Sequence, residues 1–243
     1  MDTTWNVTFR VLRRKRDKEA HYDEYKLEVS PDEYVLDAIE RIWAFQDRTL
    51  CFAHACHHST CGACGMRVND REKLTCITPI RTVTSDGGVV KVEPLRNFPV
   101  VSDLVVDLGG LYRKNELVGQ QSVVSEAIEP AAAGLSKAER EARREFIRLS
   151  DCIECGLCVS ACPAAATSAD YLGPAGLAGA HQHGLDGNKA LRILVDGSEG
   201  LWRCHSAYEC TAVCPSNVDP AGHIMALRRQ VMVDRIKGIF RRN

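Results

Sequence analysis

Eleven of the twelve cysteines in this 243-residue chain fall into three runs. The first is Cys56-x4-Cys61-x2-Cys64, closed by Cys76. The second is Cys152-x2-Cys155-x2-Cys158-x3-Cys162-Pro163. The third is Cys204-x5-Cys210-x3-Cys214-Pro215, and only Cys51 stands outside. Structural zinc uses paired C-x2-4-C knuckles in sets of four, which three closely spaced cysteines followed by Cys-Pro do not make. Disulfides need an oxidising compartment. Met1-Asp-Thr-Thr-Trp-Asn leads directly into a strand-like stretch with no apolar leader core, so export is not expected. The chemistry that remains is iron–sulfur ligation.

The three spacings predict three kinds of cluster. C-x4-C-x2-C with a distant fourth cysteine is the plant-type [2Fe–2S] pattern, which assigns Cys56, Cys61, Cys64 and Cys76. Gly62 and Gly65 let backbone approach the sulfurs. C-x2-C-x2-C-x3-C-P is the bacterial pattern, in which the fourth cysteine serves the other cluster of a pair. Cys152, Cys155 and Cys158 are thereby joined by Cys214 around a [4Fe–4S] cluster, and Cys162 joins Cys204 and Cys210. The third run carries Ala207 where a cysteine would complete it. Alanine has no donor atom, so the simplest expectation is a [3Fe–4S] cluster. A [4Fe–4S] cluster completed by His205, Tyr208 or Glu209 stays open. Cys51 reads as a small buried hydrophobe. His57-His58 resembles the histidine pair of a Rieske centre, but four thiolates already complete that site. His54, His181 and His183 show no metal-ligand pattern.

The length suits about two domains. A hydrophobic fraction of 45% is ordinary for a globular protein, and a net charge of −1 gives no global field toward nucleic acid. No apolar stretch reaches the roughly 18 residues of a membrane helix; Val100–Leu111 is broken by Asp103, Asp107 and two glycines. Two basic patches, Arg10–Lys18 and Arg228–Arg242, read as a solvated hairpin tip and a helix C-terminus.

Alternation of Trp5, Val7, Phe9 and Val11, then of Tyr25, Leu27 and Val29, predicts a hairpin. Ser30-Pro31-Asp32-Glu33 has the form of a helix start, with Val35, Leu36, Ile39, Ile42 and Trp43 on one face. A cluster loop over 51–64 and short strands near Gly65–Val68 and Val89–Val92 follow. Residues 116–135 look like a bridge, and Ser136-Lys-Ala-Glu139 opens a charged helix to about Ser150. Asp219-Pro220 caps a last helix with Ile224, Leu227, Val231, Ile236 and Phe240 as its stripe. Hairpin, helix, cluster loop and further strands resemble the β-grasp fold of plant-type ferredoxins, so the expected class is α+β, with a β-grasp [2Fe–2S] domain over 1–106 and an all-α dicluster domain over 107–243.

This combination resembles the iron–sulfur subunit of succinate dehydrogenase and fumarate reductase. The carrying residues are the three cysteine runs, Cys162-Pro163, Gly173-Pro174-Ala175, Cys204-His205-Ser206 and Cys214-Pro215, spanning nearly the whole chain. The resemblance implies a wire that carries single electrons between the FAD of a flavoprotein partner and a quinone at a membrane anchor, with or without haem. It also implies a peripheral place on the cytoplasmic face of the cell membrane. No G-x-G-x-x-G follows a strand, since Gly173-x2-Gly176-x2-Gly179 has the wrong spacing, so FAD belongs to the partner. Pro163 and His205 match positions at the quinone end. Many relatives carry tryptophans just after the Cys-Pro, whereas this chain has Ala164-Ala165-Ala166-Thr167-Ser168. Polar and aromatic groups are therefore expected to be missing from this side of a quinone site: either the anchor supplies them, or the acceptor differs from ubiquinone, with menaquinone or an anchor of another type as the expectation. The same wire would also suit another flavin-linked reductase, such as a thiol-dependent fumarate reductase. A free ferredoxin-like carrier is disfavoured because such carriers are usually small and acidic.

Overall fold

The computed structural model describes residues 4–15, 18–119 and 152–240, with side chains to 237. The expected charged helix after Ser136, and the bridge beyond residue 119, lie outside the described residues. The chain divides into two compact units: residues 1–108 with Cys155–Ala161, and residues 109–154 with 162–243.

The first unit is a mixed five-stranded sheet with one helix across it. Strands β1 (Trp5–Arg13) and β2 (His21–Val29) form the expected antiparallel hairpin, with Phe9 opposite Tyr25 and Val7 opposite Leu27. Strands β3 (Gly65–Val68), β4 (Arg71–Leu74) and β5 (Val89–Glu93) complete the order β2-β1-β5-β3-β4, with β1 and β5 parallel. Period-two alternation sends Val7, Phe9, Val11, Leu27 and Val29 into the core beside Val68, Val90 and Val92. A small hairpin of β6 (Val100–Ser102) and β7 (Val105–Val106) turns at Asp103.

Helix α1 runs over Val35–Phe45 and buries Val35, Leu36, Ala38, Ile39 and Ile42. It begins later than the Ser30-Pro31 signal suggests. Those residues instead make a turn in which the Glu33 N–H donates to the Ser30 carbonyl at 3.1 Å. Tyr34 is held in a bridge to Pro79, so the chain is pinned in extended form up to the helix cap. The effective capping acid is Asp37, which accepts from the Tyr34 N–H at 3.1 Å. Trp43 departs from the expected stripe: it is 39% exposed and lies beneath the Arg48 guanidinium.

The basic hairpin end is also more than a solvated tip. Arg13 is 4% exposed and ion-paired with Asp23, Asp47 and Asp103. Alternation predicts this, because Arg13 continues the inward register of Val7, Phe9 and Val11, and a cation there needs buried acids.

Cys155–Ala161, including the one-turn helix α3 (Leu157–Ser160), packs with the first unit through specific polar contacts. The buried Ser160 hydroxyl donates to Glu72 and accepts from the Arg96 N–H, both at 2.9 Å. The Asn97 amide donates to the Val159 carbonyl at 2.8 Å. Gly156 has φ +76°, and a β-carbon there would meet Phe98 and Leu108 at 3.0–3.2 Å, so only glycine fits.

The described part of the second unit is helical: α2 (Gly109–Leu117), α4 (Gly173–His183), α5 (Lys189–Asp196), the short α6 (Glu209–Ala212) and α7 (Pro220–Phe240). Its core gathers Tyr171, Leu172, Leu177, Leu191, Val195, Leu201, Ile224, Leu227 and Val231. Gly173, Gly176 and Gly179 all lie inside α4 and are buried, so they serve helix packing and not a phosphate loop. The start of α7 is capped as the sequence suggests, with the Asp219 carboxylate accepting from the Gly222 N–H at 3.0 Å. Its stripe is buried only through Val231; Ile236 is 50% exposed.

Candidate metal centres

The loop after α1 brings the first cysteine set together. Cys56 Sγ accepts backbone N–H bonds from His58, Thr60 and Cys61 at 3.5, 3.2 and 3.4 Å. The loop curls this way because His57, Ser59 and Gly62 all take left-handed backbone conformations, turning successive N–H groups inward as an anion-binding nest. These donors, led by the His58 N–H, pull the Cys56 thiol down to about 6. Cys64 and Cys76 form the buried half of the set. Burial, together with the Cys64 thiol beside it, pushes Cys76 up to about 11. Thr75 clasps the loop to the end of β4, its N–H and hydroxyl both donating to the Cys64 carbonyl, at 3.2 and 3.0 Å. Gly65 is fixed by close approach: a β-carbon would lie 3.3 Å from the Cys155 carbonyl oxygen. Cys51 departs from expectation, being only partly buried and held through its N–H to Asp103.

In the second unit Cys162, Cys204 and Cys210 line one pocket with Pro163, Tyr171, His205, Ala207, Tyr208 and Ile224. Burial and the neighbouring thiols raise Cys210 to about 11 and push Cys162 up as well. N–H donors approach here too: those of Ala164 and Ala165 reach Cys162, and that of Ser206 lies 3.4 Å from Cys204 Sγ. The buried Cys210 beside the partly buried Cys162 and Cys204 makes a set with the donor chemistry of a cluster site, since a bound cation relieves the repulsion that raises Cys162 and Cys210. Arg228 holds the Cys204 loop, donating to the carbonyls of Leu201 and Cys204 and to the Ser206 hydroxyl.

Cys152 and Cys214 pack together against Ala178 and Val218, and Cys214 Sγ accepts from the Val218 N–H at 3.4 Å. Cys155 and Cys158 lie in the first unit. No disulfide joins any of the twelve cysteines.

Known proteins bear on these sites directly. Residues 8–113 match the family described as a 2Fe-2S iron-sulfur cluster binding domain, and residues 148–218 match the 4Fe-4S dicluster domain. The fumarate reductase iron-sulfur subunit of Haemophilus influenzae is 34% identical over 86% of this chain and 85% of its own length. That of Mycobacterium tuberculosis is 35% identical, over 90% and 89%. The mitochondrial succinate dehydrogenase [ubiquinone] iron-sulfur subunit of Candida glabrata is 31% identical, over 93% and 92%. The chain belongs to the iron–sulfur subunits of succinate dehydrogenase and fumarate reductase. A solved chain of the Mycobacterium smegmatis Sdh1 complex superposes with a TM-score of 0.77 at 29% identity, covering 96% of this chain and 98% of that one.

The pocket around Cys162, Cys204 and Cys210 takes its aromatic side chains from segments other than the Cys-Pro stretch. The alanines after Cys162-Pro163 contribute none, but Tyr208 lines the same pocket from the opposite loop, beside His205 and Pro163. Backbone conformation brings it there, with Ser206 and Tyr208 both at positive φ. Trp202, 39% exposed, donates its indole N–H to Asp196 and sits under Arg228 and Arg235. Tyr171 also lay outside the sequence-based site. It is 1% exposed, its hydroxyl has no hydrogen-bond partner, and burial followed by the thiols of Cys204, Cys162 and Cys210 holds it well above the usual phenol range. Nothing in its sequence neighbourhood distinguishes it from a core tyrosine.

Proposed function

We propose that this chain is the three-cluster wire of a membrane-bound succinate:quinone oxidoreductase. Cys56, Cys61, Cys64 and Cys76 hold [2Fe–2S]. Cys152, Cys155, Cys158 and Cys214 hold [4Fe–4S]. Cys162, Cys204 and Cys210 hold [3Fe–4S]. The observation that carries the proposal is the shared pocket of Cys162, Cys204 and Cys210, with donorless Ala207 on its wall where a fourth thiolate would complete the cysteine run.

When bound, the clusters supply one-electron redox chemistry with little change in geometry. The protein's part is to set how favourable each reduction is. Backbone N–H groups aimed at Cys56, Cys162, Cys204 and Cys214 favour added negative charge, and burial of Cys64, Cys76 and Cys210 opposes it. The FAD site and the dicarboxylate chemistry belong to a flavoprotein partner. A membrane anchor, with or without haem, holds the subunit peripherally on the cytoplasmic face. Among the described residues no helix is long and apolar enough to cross a membrane. Pro163, His205 and Tyr208 form this chain's side of the quinone end, and menaquinone is the acceptor.

The native complex, drawn out anaerobically through a tag on this chain, tests the assignment. Covalent flavin and succinate-driven reduction of a menaquinone analogue are expected. A co-purifying flavoprotein inert to both succinate and fumarate would overturn the substrate assignment. Tyr171 supplies a finer check. Beside the thiols of Cys204, Cys162 and Cys210, its hydroxyl would donate to the sulfurs of a bound third cluster, and such bonds favour the reduced state. Tyr171→Phe is expected to lower that cluster's midpoint potential while its electron paramagnetic resonance (EPR) signal persists.

A further inference from the structure

Beside the first cysteine set, one side chain from α1 and two from the cluster loop aim one ligand atom each at a common point. His54 Nδ1 lies 3.1 Å from Glu40 Oε1, and His57 Nε2 lies 3.2 Å from the same oxygen. The two nitrogens are 3.1 Å apart. Hydrogen bonds alone do not satisfy this near-equilateral triangle. A neutral imidazole nitrogen is either a donor with one proton or an acceptor, and an ionised carboxylate oxygen only accepts. If both nitrogens donate to Glu40, two N–H groups face each other along the third edge. If one donates to the other, Glu40 Oε1 is left opposite lone pairs. Glu40 Oε1 is indeed buried with no hydrogen-bond partner despite both contacts.

A cation resolves all three edges at once, because each atom then presents a lone pair to it. Zinc–imidazole and zinc–carboxylate bonds of about 2.0–2.2 Å place an ion just out of the plane of atoms spaced as these are, with a further position open to solvent. The set is held from several sides. Glu40 projects from α1 between the buried Ile39 and Ile42. The Phe52 ring stacks on His54 at 5.2 Å and 17°. His57 is turned back by its positive φ of 59°. We propose that Glu40, His54 and His57 form a mononuclear site for a divalent transition-metal ion of the zinc class. Two imidazoles and one carboxylate favour such an ion over magnesium or calcium. The bound ion ties α1 to the loop that carries Cys56, and the site is separate from the cluster thiolates.

Zinc binding to the cluster-loaded protein tests this, with equilibrium dialysis against Zn2+ under anaerobic conditions and metal analysis of the retained ion. One zinc per chain beyond the cluster iron is expected, with a zinc-edge X-ray absorption shell of nitrogen and oxygen only. His54→Gln and Glu40→Gln should each weaken binding about 100-fold, at or beyond the cost of losing a ligand-orienting group. His58→Ala, on the same loop but outside the triangle, should leave it unchanged. The cluster absorption spectrum reports whether each variant keeps its fold. Failure to retain zinc, a sulfur-containing shell in the wild type, or unchanged affinity in folded His54→Gln and Glu40→Gln would each overturn the proposal.

Discussion

Ala207→Cys is expected to abolish the EPR signal of the oxidised third cluster and add one iron per chain. The substitution restores the full C-x2-C-x2-C-x3-C-P run on the wall of a pocket that already holds Cys162, Cys204 and Cys210. A fourth thiolate and a fourth iron change both cluster type and net charge, which are the main determinants of potential. The potential should fall, and each ~59 mV is a factor of ten in a one-electron equilibrium. Electron delivery to a quinone analogue should therefore drop at least about tenfold, while reduction of a low-potential dye from the same complex is retained. An unchanged EPR signal and iron count in Ala207→Cys would mean that position 207 does not face the cluster. A wild-type protein without that signal would instead favour a non-cysteine ligand among His205, Tyr208 and Glu209.

The second large effect is expected at Arg13. Its guanidinium reaches Asp23 at 3.0 Å, Asp103 at 3.4 Å and Asp47 more closely still, and it donates to the Tyr25 and Thr49 hydroxyls. Asp103 is fully buried and also accepts the backbone N–H groups of Arg14 and Cys51, so the network pins β1 to the start of the cluster loop. Arg13→Ala removes the main cation from these carboxylates. Breaking a buried ion pair from one side costs about 3–5 kcal/mol.

That loss should depend on pH. Burial works against the charge of Asp47, but hydrogen bonds from the Thr49 hydroxyl and N–H, from Arg13 and from Tyr25 outweigh it and hold the carboxyl well below the usual range. A depressed carboxylate stabilises the fold above its unfolded pKa of roughly 3.9 and loses that contribution as pH falls further. Without Arg13 the carboxyl titrates at higher pH, so the variant sheds less stability on acidification. The gap between wild type and variant, followed by thermal unfolding in far-UV circular dichroism, should hold from pH 7 down to roughly 4 and narrow as pH falls further toward roughly 2. A gap independent of pH would mean that packing of the Arg13 stem, and not its charge, stabilises the sheet.

Much of the first unit was legible because its determinants are local. Period-two alternation located β1 and β2, short strands were expected at the positions of β3 and β5, and the apolar stripe located α1. The start of α1 was misplaced because Tyr34 is held by Pro79, far along the chain, and a local capping signal cannot register that contact. Burial of Arg13 was hidden for the same reason, since its acids come from Asp23, Asp47 and Asp103. Cys155–Ala161 lies with the first unit through Glu72, Arg96 and Asn97, and no spacing within the cysteine run reports those contacts. The second unit was less legible. α2 buries only Leu111 and Asn115, so it has almost no stripe, and α4 is built largely of small residues and buried nearly all round.

The cysteine runs were legible because ligation chemistry fixes their spacing. The groups around them were not. Tyr208 reaches the third pocket through a left-handed backbone, and Tyr171 enters it from the core. Glu40, His54 and His57 share no motif, and only the fold of the loop over α1 makes them a triangle.

Electrons from succinate are expected to pass one at a time through three clusters on this chain. EPR of the anaerobic native complex, frozen before and after succinate is added, tests this. Succinate should remove the oxidised [3Fe–4S] signal and raise the reduced [2Fe–2S] signal. If succinate changes neither signal while dithionite reduces both, the wire is present but succinate is not its electron source.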